Sequence, residues 1–247
     1  MKSEYVKEYG RLETSHWWFA VRQKIILQSI SKFISKEGDK KVLNIGAAAG
    51  ASSAWLSVFG TVSSVENESV FLEHLHSKNI DAVSASAEQL PFADNSFDLV
   101  CAFDVVEHIE DDKKALAEMQ RVCRPGGKIC ITVPAFQCLW GRHDVANGHK
   151  RRYVFSTLRQ QLPAQNKMLY STCFNTLLFL PIYIARKIDW LLAGKKEAVS
   201  DFDIFKTNAF ANSICQFIFN LETKLLKVMR FPFGVSLLVL LEKDAAG

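Results

Sequence analysis

The stretch Val42-Leu43-Asn44-Ile45-Gly46-Ala47-Ala48-Ala49-Gly50 (residues 42–50) decides the fold. Its first four residues form a short β-rich run, its last five a turn of small residues, and Ala51–Phe59 continues in a helical pattern. A strand that enters a helix through such a turn opens a parallel sheet, because parallel strands need helical crossovers. Outward from this unit the alternation repeats to Pro134. Candidate strands follow at Thr61–Val65, Ala82–Ser84, Phe97–Phe103 and Lys128–Val133, with helical stretches near Ser69–Ser77 and Asp111–Cys123. Arg124-Pro125-Gly126-Gly127 reads as a stop to the last helix and a turn into the next strand. The expected class is α/β, a Rossmann-like doubly wound sheet with helices on both faces.

The flanks read differently. Trp17–Ile34 is a candidate helix, Met168–Phe174 a strand, and Gly234–Leu241 a final strand. Between the last two lies a long apolar section. In Lys206–Met229 the residues Phe210, Ile214, Phe217, Ile218, Leu221, Leu225 and Val228 recur at helical spacing and predict a buried face. Asn175–Leu192 is apolar around most of its circumference, but Pro181, Arg186, Lys187 and Asp189 interrupt it, so it falls short of a membrane span. The expected organisation is an N-terminal helical cap (1–37), a core (38–174 with 234–243) and a helical insertion (175–233).

Composition narrows the function. Of 247 residues, 49% are hydrophobic and 23% charged, enough for a full core and against disorder. A net charge of +4 is too small to imply a nucleic-acid partner. The six cysteines form no C-x-x-C pair, which argues against a zinc site and for reduced thiols in a cytoplasmic protein; no metal is expected. Met1–Gly10 is polar and lacks the features of a signal peptide.

A ligand in an open parallel sheet binds beyond the carboxyl ends of the strands. The turn Asn44–Gly50 sits there, and Glu66 closes the second strand about 20 residues past Gly46, where an acid can bind both ribose hydroxyls of an adenosine. The dinucleotide fingerprint G-x-G-x-x-G would need glycine at 48 and 51, where alanine stands. A methionine moiety asks for less close backbone approach than a pyrophosphate. The turn therefore suits S-adenosylmethionine better than NAD.

The text beyond carries a resemblance. Ser86-Ala87-Glu88-Gln89-Leu90-Pro91-Phe92, Asn95-Ser96-Phe97-Asp98-Leu99-Val100, Phe103-Asp104-Val105-Val106-Glu107-His108 and Arg121-Val122-Cys123-Arg124-Pro125-Gly126-Gly127 follow in order and spacing. Over residues 41–134 the chain resembles the class I S-adenosylmethionine-dependent methyltransferases that include the ubiquinone and menaquinone biosynthesis enzymes. The resemblance implies a seven-stranded sheet with an antiparallel last strand, supplied by Gly234–Leu241. It also implies that Asn44, Gly46, Ala47 and Gly50 line the methionine part, Glu66 and Asn67 the ribose, Ser86 and Ala87 the adenine, and Phe103, Asp104 and His108 the floor near the sulfonium. Helix capping and packing is the favoured reading of Glu107 and His108. Asn44, Ala48 and Ser86 depart from the usual pattern, which keeps open a scaffold that binds the cofactor without turnover.

Methyl transfer needs an in-line nucleophile, and a hydroxyl or carboxyl acceptor calls for a base or an orienting group. The chain after the fifth strand offers Trp140-Gly141-Arg142-His143-Asp144 and His149-Lys150-Arg151-Arg152-Tyr153. One reading makes His143 or His149 the base, Asp144 its orienter, Tyr153 a further catalytic group, and Trp140, Arg151 and Arg152 acceptor contacts that clamp an anion. The other is a solvated basic loop over packed aromatics. His16-Trp17-Trp18-Phe19 with Arg22 either caps the site or fills the core. With Pro232-Phe233-Gly234-Val235-Ser236 these segments are similar to a narrower bacterial group associated with cell-envelope glycan and polyprenol genes. That likeness implies a small-molecule or lipid-linked acceptor, anionic in character, methylated at oxygen or nitrogen. No Asn-Pro-Pro-Tyr-like motif follows the fourth strand. Residues 175–233, with Arg186, Lys187, Lys195 and Lys196, are read as packed on the sheet, with a lid, a dimer surface or a peripheral membrane contact as alternatives.

Overall fold

The computed structural model describes residues 2–164, 166–193 and 209–245. In chain order the elements are α1 (Lys2–Ser15), α2 (Trp17–Ile30), β1 (Lys40–Ile45), α3 (Ala51–Leu56), β2 (Gly60–Glu66), α4 (Ser69–Ser77), β3 (Ala82–Ser84), β4 (Phe97–Phe103), α5 (Asp112–Val122), β5 (Cys123–Pro134), α6 (Arg142–Ala146), α7 (Phe155–Gln161), β6 (Asn166–Phe174), α8 (Phe179–Ala193), α9 (Ala209–Leu225) and β7 (Ser236–Lys243). The seven strands form one sheet in the order β3-β2-β1-β4-β5-β7-β6. β1 to β5 pair in parallel, while β7 runs antiparallel between β5 and β6. This is the expected doubly wound sheet with its antiparallel last strand.

The central strands are buried on both faces, as helices on either side require. Leu43, Ile45, Val100, Ile129, Ile131 and Val239 face one core, and Val42, Leu99, Cys101, Cys130, Leu238 and Leu240 face the other. The second core is closed by α2 through Val21, Ile25, Ile26 and Ile30. Strand order reverses between β1 and β4, so the crevice for a ligand opens at their carboxyl ends.

Two local readings change. Arg124–Gly127 does not precede β5 but lies inside it, where pairing jumps from Phe97↔Cys123 to Leu99↔Lys128. A Cβ on Gly127 would sit 2.7 Å from Cys123 Sγ, so only glycine lets the chain fold over in this way. The larger change concerns α9. Its predicted buried stripe faces outward: Phe210 is 75% and Phe217 68% exposed. Phe219 and Glu222 point inward instead. Phe219 stacks on Trp18 and Phe174, with ring centroids 5.6 and 6.3 Å away, and Glu222 accepts the Leu177 N–H at 2.6 Å. Periodicity identified the helix, but an aromatic stack and a buried carboxylate chose its face. Lys195 and Lys196 lie outside the described residues. Among the described residues no helix is long and apolar enough to cross a membrane.

Candidate active site

A cavity of about 500 Å³ opens beyond the carboxyl ends of β1, β4 and β5, a size suited to a small-molecule ligand. Gly46, Ala48, Ala51 and Ser52 form one wall, Phe103 and Asp104 the floor, and Pro134 the far side. Tyr9, Glu13, His16, Trp17, Trp18 and Arg22 of the two N-terminal helices close it from above. Ile182, Ala185 and Arg186 of α8 close it laterally.

The β1 turn is shaped by backbone geometry. Gly46 (φ +71°) and Gly50 (φ +95°) are left-handed, and a Cβ on Gly46 would fall on Val105 Cγ2. Ala48 is also left-handed (φ +46°), a backbone that glycine adopts without strain. Glu66 latches this turn: one carboxylate oxygen accepts the Ala48 N–H at 2.8 Å and the other the Glu68 N–H at 2.9 Å. Each oxygen keeps a lone pair for a further donor. Asn44 is fully buried and donates to Ser52 and Ser53 (2.8 and 2.9 Å), tying β1 to α3 rather than reaching the cavity. Asp104 (φ +55°) is held by Arg22 at 2.6 Å and by the Thr132 hydroxyl at 3.2 Å.

The acceptor end is built around Asp144, which has no exposed surface. Its Oδ1 accepts from His149 Nδ1 and Arg152 Nε, both at 2.8 Å, and its Oδ2 from the Gly141 N–H at 2.9 Å. Arg186 Nη1 lies 3.5 Å from Oδ2. Against the cost of burial, His149 and Arg152 hold this carboxyl below the usual range. Burial, with Arg186 nearby, pushes His143 down to about 3, and burial, with His149 nearby, pushes His108 down to about 4. Both imidazoles are neutral at pH 7.

At the opposite end, burial pushes the Glu13 carboxyl up to about 7, against the Ala51 N–H that it accepts at 3.4 Å. A carboxyl whose folded pKa exceeds its unfolded value stabilises the fold only while protonated. This contribution is full below about pH 4.5 and fades as pH rises through 7. Glu13→Gln is expected to raise unfolding free energy by about 1–2 kcal/mol at pH 8 and to leave it unchanged at pH 4. Denaturant titrations at the two pH values check this, and an equal effect at both would remove Glu13 from the titration.

The structure gathers Gly46, Phe103, Asp104, His108, His143, His149 and Arg152 around the cavity, with Ala47 and Gly50 in the same turn. Other expected residues stay outside its lining, Glu66 and Asp144 among them. Tyr153 is buried and donates to Asp112 at 2.7 Å. Arg151 turns to Asp112 and the Glu110 carbonyl, so the expected pair of clamping arginines is reduced to Arg152. Trp140 is half-buried and absent from the lining, and Asn44 serves α3. Both Tyr153 and Arg151 are drawn away by the N-terminus of α5, where Asp112 gathers them. Asn67, Ser86 and Ala87 also fall outside the cavity. Ser86 accepts the Glu88 N–H at 3.1 Å and so caps its own turn.

Residues 43–131 match the family described as "Methyltransferase domain". These residues carry a methyltransferase domain. The chain is 48% identical over 60 residues to the ubiquinone/menaquinone biosynthesis C-methyltransferase UbiE of Hahella chejuensis, covering 24% of each chain. It is 37% identical over 101 residues to the methyltransferase GfsG of Streptomyces halstedii, covering 37% of this chain and 36% of that one. The matches thus span about a quarter to a third of these curated relatives. Among solved structures, an S-adenosylmethionine-dependent methyltransferase from Thermotoga maritima superposes with a TM-score of 0.60 at 16% identity, covering 98% of this chain and 97% of that one. It supports the fold.

The methyltransferase domain owes several of its cavity residues to segments outside the matched stretch. Tyr9, Glu13, Asn147 and Asn175 carried no sequence signal, since each reaches the cavity only through the docking of α1, the end of α6 or the end of β6. Glu107 did carry one, its place directly after β4. Packing was the favoured reading, and the residue is fully buried while bordering the cavity.

Proposed function

We propose that this protein transfers the methyl group of S-adenosylmethionine to a small-molecule acceptor held between Trp18, Arg186 and the histidines of the cavity. One observation carries the reading: a single cavity joins the Gly46 turn, where this domain type holds its cofactor, to the cluster His108–His143–His149. His108 and His143, with lowered pKa values, are poor proton acceptors at pH 7. His149 is set apart by its hydrogen bonding. Asp144 holds its Nδ1, leaving Nε2 for the acceptor side.

Two features favour a lipid-linked acceptor. Leu180, Ile184, Ile188 and Leu191 are exposed on the same helix whose Ile182, Ala185 and Arg186 line the cavity. Arg186 also brings a cation that an anionic acceptor would meet. Transfer of labelled methyl from the cofactor into water-soluble and membrane-lipid extracts tests both the activity and the acceptor class. Cofactor binding without transfer to either pool would instead support a scaffold. Failure to bind S-adenosylmethionine or S-adenosylhomocysteine at millimolar concentration would sink both readings.

Glu66 gives a sharper check. Glu66→Ala is expected to weaken cofactor binding by about 1–3 kcal/mol, through the lost charged acceptor and the unlatched Ala48 turn. Calorimetry reads this directly. An unchanged affinity would take Glu66 away from the ribose.

A further inference from the structure

Glu107 poses a problem that methyl transfer alone does not answer. Its side chain has no exposed surface, and neither carboxylate oxygen meets a hydrogen-bond donor from another residue. A buried carboxylate left in this way costs several kcal/mol unless something compensates it. The neighbouring guanidinium groups are spent elsewhere: Arg22 on Asp104 and Thr132, Arg152 on Asp144 and the Ala135 carbonyl. Glu107 nonetheless lines the cavity beside two imidazoles, His108 and His149. Their rings stand edge to face with centroids 4.8 Å apart.

We propose that Glu107, His108 and His149 bind a divalent transition-metal ion at the acceptor end of the cavity. One ligating atom from each of the three lies within 4.8 Å of the others. Bonds of about 2.1 Å place ligand atoms roughly 3–3.5 Å apart, so an approach of up to about 1.5 Å completes the set. Two imidazoles and one carboxylate suit zinc, iron(II), cobalt or manganese and leave coordination positions open for a substrate. The surroundings match those of metal-binding histidines, which donate their second N–H to a fixed acceptor. His149 Nδ1 is held by Asp144 at 2.8 Å, and His108 is hydrogen-bonded to the Asn147 backbone. Each histidine thus has one nitrogen anchored and one left for the ion.

The role assigned to the ion rests on the methyltransferase reading above. An acceptor hydroxyl that coordinates the ion loses its proton to solvent more readily. Its oxygen lone pair then forms the new bond to the methyl carbon as the carbon–sulfur bond breaks, and that electron pair returns to sulfur to give S-adenosylhomocysteine. The substrate class is therefore a hydroxyl compound able to chelate, such as a catechol or an α-hydroxy carboxylate.

Cobalt(II) titration of chelator-stripped full-length protein, followed by visible absorption, tests the site without requiring activity. One equivalent is expected to bind at micromolar concentration or tighter. Glu107→Gln and His149→Gln should each weaken binding by more than about 100-fold, and Asp144→Asn by about 10–100-fold. Glu13→Gln, at the far end of the cavity, should leave it unchanged. No absorption band at millimolar cobalt, or equal affinity in the two ligand variants, would overturn the proposal. Should those variants fail to fold, the wild-type cobalt complex decides by proton NMR. Two paramagnetically shifted imidazole N–H signals are expected, and none would refute the site. Cofactor calorimetry in chelator separates the two readings: lost cofactor binding breaks the methyltransferase assignment and leaves the metal result standing. Undiminished hydroxyl methylation by stripped protein would overturn the metal site alone.

Discussion

Replacing Asp144 by alanine is expected to cost about 3–5 kcal/mol of folding stability, the usual loss when one partner of a buried ion pair is removed. The carboxylate is fully buried and faces His149, Arg152, Arg186 and the Gly141 N–H. Its removal strands the Arg152 guanidinium, whose side chain is only 1% exposed. It also frees the His149 ring. Methyl transfer should fall far more than cofactor affinity, because the Gly46 turn lies at the other end of the cavity. Urea titration reads the stability, and a loss below about 1 kcal/mol would show that water replaces the pair. The pH dependence has a definite sign. The folded pKa of Asp144 is lowered, so its contribution is full above the ordinary aspartate range near pH 4 and is lost as pH falls further. The alanine variant should therefore show a shallower acid limb than wild type.

Gly46→Ala is the second large effect. An alanine held at φ +71° costs about 1–2 kcal/mol from its left-handed backbone alone. Its Cβ would fall on Val105 Cγ2, adding about 1–3 kcal/mol of overpacking. The turn that must shift to relieve these strains is the one the cofactor approaches, so affinity for S-adenosylhomocysteine should drop by more than about tenfold, or about 1.4 kcal/mol. The double variant Gly46→Ala/Val105→Ala separates the causes. It should recover the packing loss and leave the backbone loss and the weakened affinity in place. Full recovery of both would show that the clash with Val105, and not the glycine backbone, matters at this turn.

The chain's own text was enough to read the parallel strands and the Gly46 turn. These features depend on neighbours two to four positions apart, and hydrophobic period and turn chemistry are written at that range. The order of motifs from Ser86 to Gly127 likewise belongs to one contiguous α/β unit. The acceptor end was legible only as a collection of residue types. His143, Asp144, His149, Arg151, Arg152 and Tyr153 are close in sequence, and nothing in their spacing says that Asp112 draws Tyr153 and Arg151 away while Asp144 keeps His149 and Arg152. That choice was made by where the N-terminus of α5 docks against the loop after β5. The same holds for α9, whose apolar period marks a helix but whose inward face is set by the Trp18–Phe219–Phe174 stack. It holds most of all for Glu107, whose burial beside two imidazoles, with no donor from another residue, exists only in the assembled cavity. Local periodicity specifies which elements form. The contacts that make chemistry join elements distant in the chain, and they exist only once packing has brought those elements together.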